Sequence, residues 1–436
     1  MKWFYGIGLI LLNSCMISNK NSLTVSPAGH TLHHSGVFSK DGQWLVFDGR
    51  NDDTKIGETS TIGIVNVETG EEKIIYKTKN QTVYGPGVGA VSFSPAEDKV
   101  IFIHGLPDAN KEKPYAMSRR TGVGIDLSHP QSPFFYDARD IRFPYTPGSL
   151  RGGTHSHGWS PDGQLISFTY NDELTEADLR VVGVMIPSPK ITVEPAAGNN
   201  EGTMFSAIVT DVVKNPAPGS DEINKAFDEC WVGKNGYMLK SGEHVPYSIA
   251  FQGNVLNIEG KQITEVFVVD IDPEKILTDP EAVGKAGERP HVPKGIQQRR
   301  ITFSEKGLSD TRHWLRSSPD GKFIYALAKD QEGHNQIIQI EIATGTITLL
   351  THNDFSIDYS FNLNKEGNKI AYVAQNSVYV LDLTKGISSK IGNEEKGKIV
   401  GAPSFSPRDP LLVFNQYMKD KNGEDYLQIR KFTLPE

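Results

Sequence analysis

Twelve histidines are spread over 436 residues, and several stand just ahead of a turn. His30, His33 and His34 precede Ser39, His155 and His157 precede Ser160, and His313 precedes Ser318. On a strand, the i, i+2 spacing of His155 and His157 puts both side chains on one face. Neutral imidazole is a borderline ligand that suits zinc, manganese, iron, nickel or copper. His34, His155, His157 and His313 are therefore the expected ligands of a divalent metal, manganese or zinc-like, if the fold brings them to one point. Taken singly, each is equally readable as a histidine bonded to turn backbone or water. Arginines accompany them: Arg151 before Gly152, Arg312 before His313 and Arg316 after it. Guanidinium groups fork onto carboxylates, so Arg151 and Arg316 are expected to bind an anionic ligand, with solvated or blade-bridging arginine as the alternative.

The elements that must position these groups are legible as a repeat. A small or aromatic residue, a Ser-Pro-Asp-Gly turn or a variant, and a strongly apolar run recur six times. Phe38-Ser39-Lys40-Asp41-Gly42 precedes Trp44-Leu45-Val46-Phe47, and Phe93-Ser94-Pro95 precedes Val100-Ile101-Phe102-Ile103. Trp159-Ser160-Pro161-Asp162-Gly163, Ser317-Ser318-Pro319-Asp320-Gly321, Asn364-Lys365-Glu366-Gly367 and Phe405-Ser406-Pro407-Arg408-Asp409 are each followed in the same way. Proline presets φ, Asp-Gly makes the tight turn, and the β-branched and aromatic run is the second strand of a hairpin. Third and fourth strands follow several copies, as in Ile62–Val67 and Lys73–Tyr76. Four antiparallel strands per unit make a propeller blade.

The long interval between Ser160 and Ser318 must hide a further blade, and Cys230–Leu239 reads as its degraded turn. The fold class is therefore all-β, a seven-bladed β-propeller, with six or eight blades as alternatives. The last copy leaves room for only three strands before Glu436, so an N-terminal strand, Ser22–Val25, is expected to close the ring. Insertions near 104–150, 190–226 and 272–296 are expected to be loops that shape a binding face.

The blades resemble TolB-like propeller repeats over nearly the whole mature chain, and the best overall match is to a little-characterised family of periplasmic TolB-like lipoproteins. Such propellers serve as scaffolds, sensors, peptidase gates and lyases, so the likeness implies fold before function. A sharper resemblance is to the oligogalacturonate lyases. Thr154-His155-Ser156-His157-Gly158-Trp159-Ser160-Pro161 matches their Thr-His-x-His stretch, and Thr311-Arg312-His313-Trp314 matches their lone histidine loosely. The resemblance implies that His155, His157 and His313 hold a manganese ion, which neutralises a uronate carboxylate for β-elimination. The family's glutamine ligand falls on Gly152 here, and His34 is the expected substitute. For elimination, His33 or His34 is the candidate base and Arg312 the stabiliser of enolate-like charge. The function this implies is binding, and cleavage by metal-assisted β-elimination, of an anionic oligosaccharide. The alternative is a non-catalytic scaffold for envelope proteins or glycan; convergence of the four imidazoles on one point distinguishes the two.

The start of the chain sets the address. Lys2, an apolar run from Trp3 to Leu12 and the box Leu12-Asn13-Ser14-Cys15 read as a lipoprotein signal peptide over 1–14. Lipidated Cys15 would begin a tether over 15–21, ahead of a single propeller domain over 22–436. Two acyl chains suffice for a stable anchor. No acidic cluster follows Cys15, which favours a periplasm-facing position over surface exposure. Lipidation leaves Cys230 alone, so no internal disulfide forms, and Cys230 is expected in the core. The formal net charge of −8 argues against coating nucleic acid or anionic membrane. Contact with membrane is expected through the anchor only, and a monomer is expected. Neither a Gly-x-Ser-x-Gly elbow nor an HExxH helix is present.

Overall fold

The computed structural model describes residues 21–436 except 53, 177, 392–396 and 435–436. The signal peptide, Cys15 and most of the tether lie outside the described residues. The Ser-x-Asp-Gly turn explains why the repeat is so regular. In three copies the serine hydroxyl donates to the aspartate two residues on, at 2.6 Å for Ser39–Asp41, Ser160–Asp162 and Ser318–Asp320. The same oxygen accepts the backbone N–H that opens the second strand, from Trp44, Leu165 or Phe323. The glycine then takes a left-handed φ, +70° at Gly42, +72° at Gly163 and +71° at Gly321, a conformation that costs other residues strain.

Among the described residues, seven antiparallel sheets of three or four strands form the blades, beside two small two-stranded sheets. Blade 1 comprises Trp44–Asp48, Thr61–Asn66 and Glu72–Lys77, with Val37 and Phe38 paired on its axial side. Blade 2 is Val88–Phe93, Lys99–Gly105, Arg120–Asp126 and Phe134–Phe135. Blade 3 is Gly153–Trp159, Ile166–Asn171, Arg180–Ile191 and Gly202–Ile208. Blade 4 is Ala226–Trp231, Ser248–Leu256, Gln262–Asp270 and Gln298–Arg300, with a small hairpin, Tyr237–Met238 against His244–Val245, in its degraded turn. Blade 5 is Arg316–Ser317, Phe323–Lys329, Asn335–Glu341 and Ile347–Leu349. Blade 6 is Asn362–Leu363, Lys369–Ala374, Ser377–Asp382 and Ile387–Ile391. Blade 7 has Ile399–Phe405, Leu411–Lys419 and Asp425–Thr433.

The N-terminus closes blade 7. Lys431 N–H donates to the Asn21 carbonyl at 2.8 Å and Leu23 N–H to that of Ile429 at 2.9 Å. Leu23 is 5% exposed and packs with Val37, Phe47, Val413 and Ile429, whereas Val25 is 71% exposed, so the closing segment is shorter than the expected strand. Two of the three expected loops contain blade strands: Arg120–Asp126 and Phe134–Phe135 lie within 104–150, and Gly202–Ile208 lies within 190–226. Their apolar residues alternate weakly, which hid them. The third, 272–296, holds a short helix, Pro273–Leu277, whose N-terminal amides of Glu274 and Lys275 are capped by Asp272.

Hydrophobic packing runs between neighbouring blades. Phe168 and Val184 of blade 3 pack in one cluster with Phe251 and Val269 of blade 4. The innermost strands are left to line the axis. In blades 2, 3 and 4 these strands are bulged, between Gly89 and Ser92, His155 and Gly158, and Phe227 and Cys230. A residue other than glycine sits in the left-handed region at each bulge: Ala90 at φ +54°, Ser156 at +54° and Asp228 at +50°. Such bulges re-aim side chains, and backbone strain of this kind gathers at functional sites.

Candidate axial site

The blade 3 bulge presents His155 and His157. Neither ring nitrogen of the buried His155 has a hydrogen-bond partner among the described residues. Its pKa is held well below the usual histidine value, by burial first and then by Arg120, Arg180 and Arg312. His157 lies 3.1 Å, through Nε2, from Thr154 Oγ1, which donates its one proton to Asp137 at 2.9 Å. Thr154 must therefore accept from His157, which places the proton on Nε2 and leaves Nδ1 as a lone pair. Burial drives the His157 pKa down to about 3, with Arg120 adding to it.

His33 and His34 arrive from the segment ahead of blade 1, with ring centres 4.0 Å apart. His34 stacks on Trp314 at 3.9 Å and 8°. Its Nδ1 lies 3.2 Å from Arg316 Nη2, which can only donate, so the His34 proton sits on Nε2. Burial holds both rings well below the ordinary histidine pKa and therefore neutral.

His313 does not join them. Its Nε2 accepts the Leu327 N–H at 3.0 Å, so its Nδ1 is protonated and donates to the Thr311 carbonyl at 2.7 Å. Both nitrogens are used in holding blade 5 together, and no lone pair is left for a metal. Its pKa is pushed down to about 4, by burial first. The expected set of His34, His155, His157 and His313 thus does not assemble. Among the described residues, no group of three or more His, Cys, Asp or Glu side chains is placed to hold a metal ion. The electrostatics oppose one too, because His155 is surrounded by guanidinium groups.

Two of the expected ligand-binding arginines have structural duties. Arg151 is 1% exposed; it pairs with Asp172 at 3.2 Å, donates to the carbonyls of Val283 (2.7 Å) and Glu288, and lies 4.1 Å from the Tyr145 ring centre. It pins the 272–296 insertion to blade 3, and each of its three nitrogens is engaged within the buried core of that contact. Arg316 donates to Asn362 Oδ1 (2.8 Å) and to the carbonyls of Leu315 (2.8 Å) and His34 (2.9 Å), spanning blade 5, blade 6 and the chain ahead of blade 1. It ties the axis together, and burial pushes its pKa down to about 10.

Arg312 is different. It is exposed, rests 4.4 Å from the Trp314 ring centre, and its charge is felt at His33, His34, His155, Arg120, Arg180 and Asp228. Those residues belong to four other parts of the ring, so the Arg312 charge acts on several blades at once. Arg120 and Arg180, which the sequence reading passed over, open the third strands of blades 2 and 3. Arg120 donates to Tyr115 Oη at 2.9 Å and the Met117 carbonyl at 3.2 Å, and Arg180 approaches Met117 Sδ at 2.8 Å. Arg120, Arg180, Arg312 and Arg316 form no ion pair with a described carboxylate, whereas Arg50 and Arg151 do.

Blade 4 contributes two buried acids that were also passed over. Burial pushes Asp228 up to about 6, against the opposing pull of Arg312, Arg180, Lys225 and Arg316. Glu229 is pushed up to about 8, by burial first, and accepts from Thr169 Oγ1 at 3.2 Å. Two adjacent acids in the otherwise apolar run Phe227 to Val232, at the place of Ser156 and His157 in blade 3, were the available signal. Cys230 beside them is a half-buried thiol pushed up to about 12 by burial, which fits the packing role expected of it.

A family model described as "Protein of unknown function (DUF3748)" matches residues 87–200. The uncharacterized protein YidR of Escherichia coli (strain K12) is 35% identical over 372 residues, covering 82% of this chain and 85% of that one. A solved oligogalacturonate lyase in complex with manganese superposes with a TM-score of 0.56 at 13% identity, over 96% of this chain and 95% of that chain. TolB from Acinetobacter baumannii gives a TM-score of 0.39 at 14% identity, over 90% and 81%. At these identities the likeness to the solved structures is one of fold.

Proposed function

The chain belongs to the family of the Escherichia coli protein YidR, and from the unpaired arginines at its propeller axis we propose that it binds an anionic saccharide there. One observation carries this reading. In a chain of net charge −8, Arg120, Arg180 and Arg312 gather at the axis without a carboxylate ion-pair partner among the described residues. Unpaired charge at a partly buried site is costly unless a ligand completes it. Guanidinium forks match carboxylate geometry, and the neutral imidazoles of His33 and His155 add hydrogen-bonding groups for hydroxyls.

A uronate fits this combination of carboxylate and hydroxyls. With its carboxylate neutralised by Arg180 and Arg312, the negative charge that develops at the adjacent carbon on proton loss is stabilised, so the arginine cluster also suits β-elimination. The lyase of like fold was solved with manganese; in this chain the arginines take the charge-neutralising role. The Leu12–Cys15 box supports a lipid-anchored, periplasm-facing location for the domain, and the reading holds for a monomer.

The test is calorimetric titration of the mature protein with trigalacturonate at low and high salt, beside Arg312→Ala. Binding that weakens with salt, and by about tenfold or more in the variant as expected for a charge-assisted hydrogen bond, supports the reading. No binding of trigalacturonate or of other acidic oligosaccharides refutes it and leaves the ring as a scaffold for envelope proteins.

A further inference from the structure

Asp228 is a carboxylate beside the axial arginines on which the charges of Arg180 and Arg312 bear without an ion pair among the described residues. It stands at the blade 4 bulge in a left-handed backbone conformation, φ +50°, with its side chain buried. No described group donates a hydrogen bond to its carboxylate. The charges that bear on it are Arg312 and Arg316 from blade 5, Arg180 from blade 3, and Lys225 and Glu229 from blade 4. A structural carboxylate in such a place would pair with one of those guanidinium groups, as Asp172 does with Arg151. The Leu315 N–H donates to the Asp228 carbonyl oxygen at 3.1 Å, which sets the bulge against the Arg312–Arg316 segment while the carboxylate itself is not ion-paired among the described residues.

We infer that Asp228 is the proton acceptor of the axial site, removing the proton from the carbon adjacent to a carboxylate that Arg180 and Arg312 bind. This rests on the anionic-saccharide reading above. For a 4-linked uronate, the C5 proton passes to Asp228, and the C5–H electron pair forms the C4=C5 double bond. The C4–O bond breaks, its pair leaves with the glycosidic oxygen, that oxygen takes a proton from solvent water, and Asp228 returns its proton to the hydroxide so formed. No oxidant or second substrate is consumed. Burial supplies the matching basicity, since a carboxyl pushed up to about 6 is largely ionised at neutral pH yet a better base than an ordinary aspartate. Of the residues expected from sequence, His33 is thereby left to bind ligand, and Arg312 keeps its charge-stabilising role.

The test is Asp228→Asn in the mature protein, with trigalacturonate as the probe. Asparagine tolerates left-handed backbone, so the variant keeps the bulge while losing only the ability to accept a proton. Binding is followed by calorimetry and elimination by ultraviolet absorbance of the unsaturated uronate. The expected result is binding within a few-fold of the parent and product formation slower by roughly 100-fold or more. The parent's kcat/KM should fall as pH drops through about 6. Equal cleavage by parent and variant overturns the inference. So does a parent that binds trigalacturonate but yields no unsaturated product, which leaves the binding reading standing. A parent that fails to bind overturns both.

Discussion

Across the propeller axis, Arg316 of blade 5 donates to the carbonyl oxygen of His34 at 2.9 Å, joining two segments 282 residues apart in sequence. Asn362 of blade 6 donates to the same carbonyl at 2.9 Å and to that of Pro403 in blade 7, so the bond belongs to a network that ties blades 5, 6 and 7 to the chain ahead of blade 1. Replacing Arg316 with methionine keeps the bulk but takes away the donors to the Leu315 carbonyl and the Asn362 amide oxygen, while the His34 carbonyl keeps its bond from Asn362 Nδ2 at 2.9 Å. A loss of about 2–3 kcal/mol is expected, read as a lower denaturation midpoint, and lysine should not restore it because one ammonium cannot reproduce the fork.

Arg151 makes a contrasting prediction. Arg151→Ala releases the insertion at Val283 and Glu288 from blade 3 without touching the axis. Limited proteolysis should then cut within 283–291 while trigalacturonate binding stays unchanged. Loss of binding in this variant would return Arg151 to the ligand site.

The Asp137–Thr154–His157 relay sets a tautomer. In ¹⁵N-labelled protein, His157 should carry its proton on Nε2, and Thr154→Ser should preserve this while Thr154→Val abolishes the preference. A proton on Nδ1 in the parent protein would contradict the relay.

Acid should destabilise the fold well above the carboxylate range. The folded pKa values of His33, His34, His155, His157 and His313 are all depressed by burial, the last two to about 3 and about 4. Their unfolded forms take up protons as pH falls through about 6.5 while the folded forms do not, so stability is full above that value and is lost on the way down to about 4. Asp228 and Glu229, raised to about 6 and about 8, act in the opposite sense, their contribution being lost as pH rises through those values. Five imidazoles against two carboxyls leave a net loss, so the melting temperature should be lower at pH 5 than at pH 7. Asp228→Asn should raise it at pH 7, by at most about 2–3 kcal/mol of stability.

Chelation should leave anion binding unchanged, because the arginines rather than a metal carry the charge. Measured on the purified mature protein, metal content should be well below one ion per chain and no lower in a His155→Ala/His157→Ala variant. A stoichiometric metal that this variant loses would restore the sequence-based expectation. Cys15→Ser should move the protein from the membrane to the soluble fraction, and an unchanged distribution would overturn the lipid-anchor reading.

What the sequence determined by itself was local. A serine that bonds an aspartate two residues on and an amide five residues on, with glycine completing the turn, is written within six consecutive residues. Repetition of that unit and its variants revealed the propeller and six of its blades, and the long interval between Ser160 and Ser318 pointed to the seventh. The roles of the side chains on those strands were not local. His313 and His155 occupy similar places before their turns, yet the N–H of Leu327 claims one ring while the other is left among arginines from blades 2, 3 and 5. Arg151 and Arg316 looked like anion receptors until Asp172 and the carbonyls of Val283, Leu315 and His34 took up their donors. Asp228 and Glu229 were hidden because their blade copy is degraded, and their importance comes from burial. Hydrogen-bond satisfaction, burial and charge proximity depend on which blades face one another across the axis, and ring closure alone decides that.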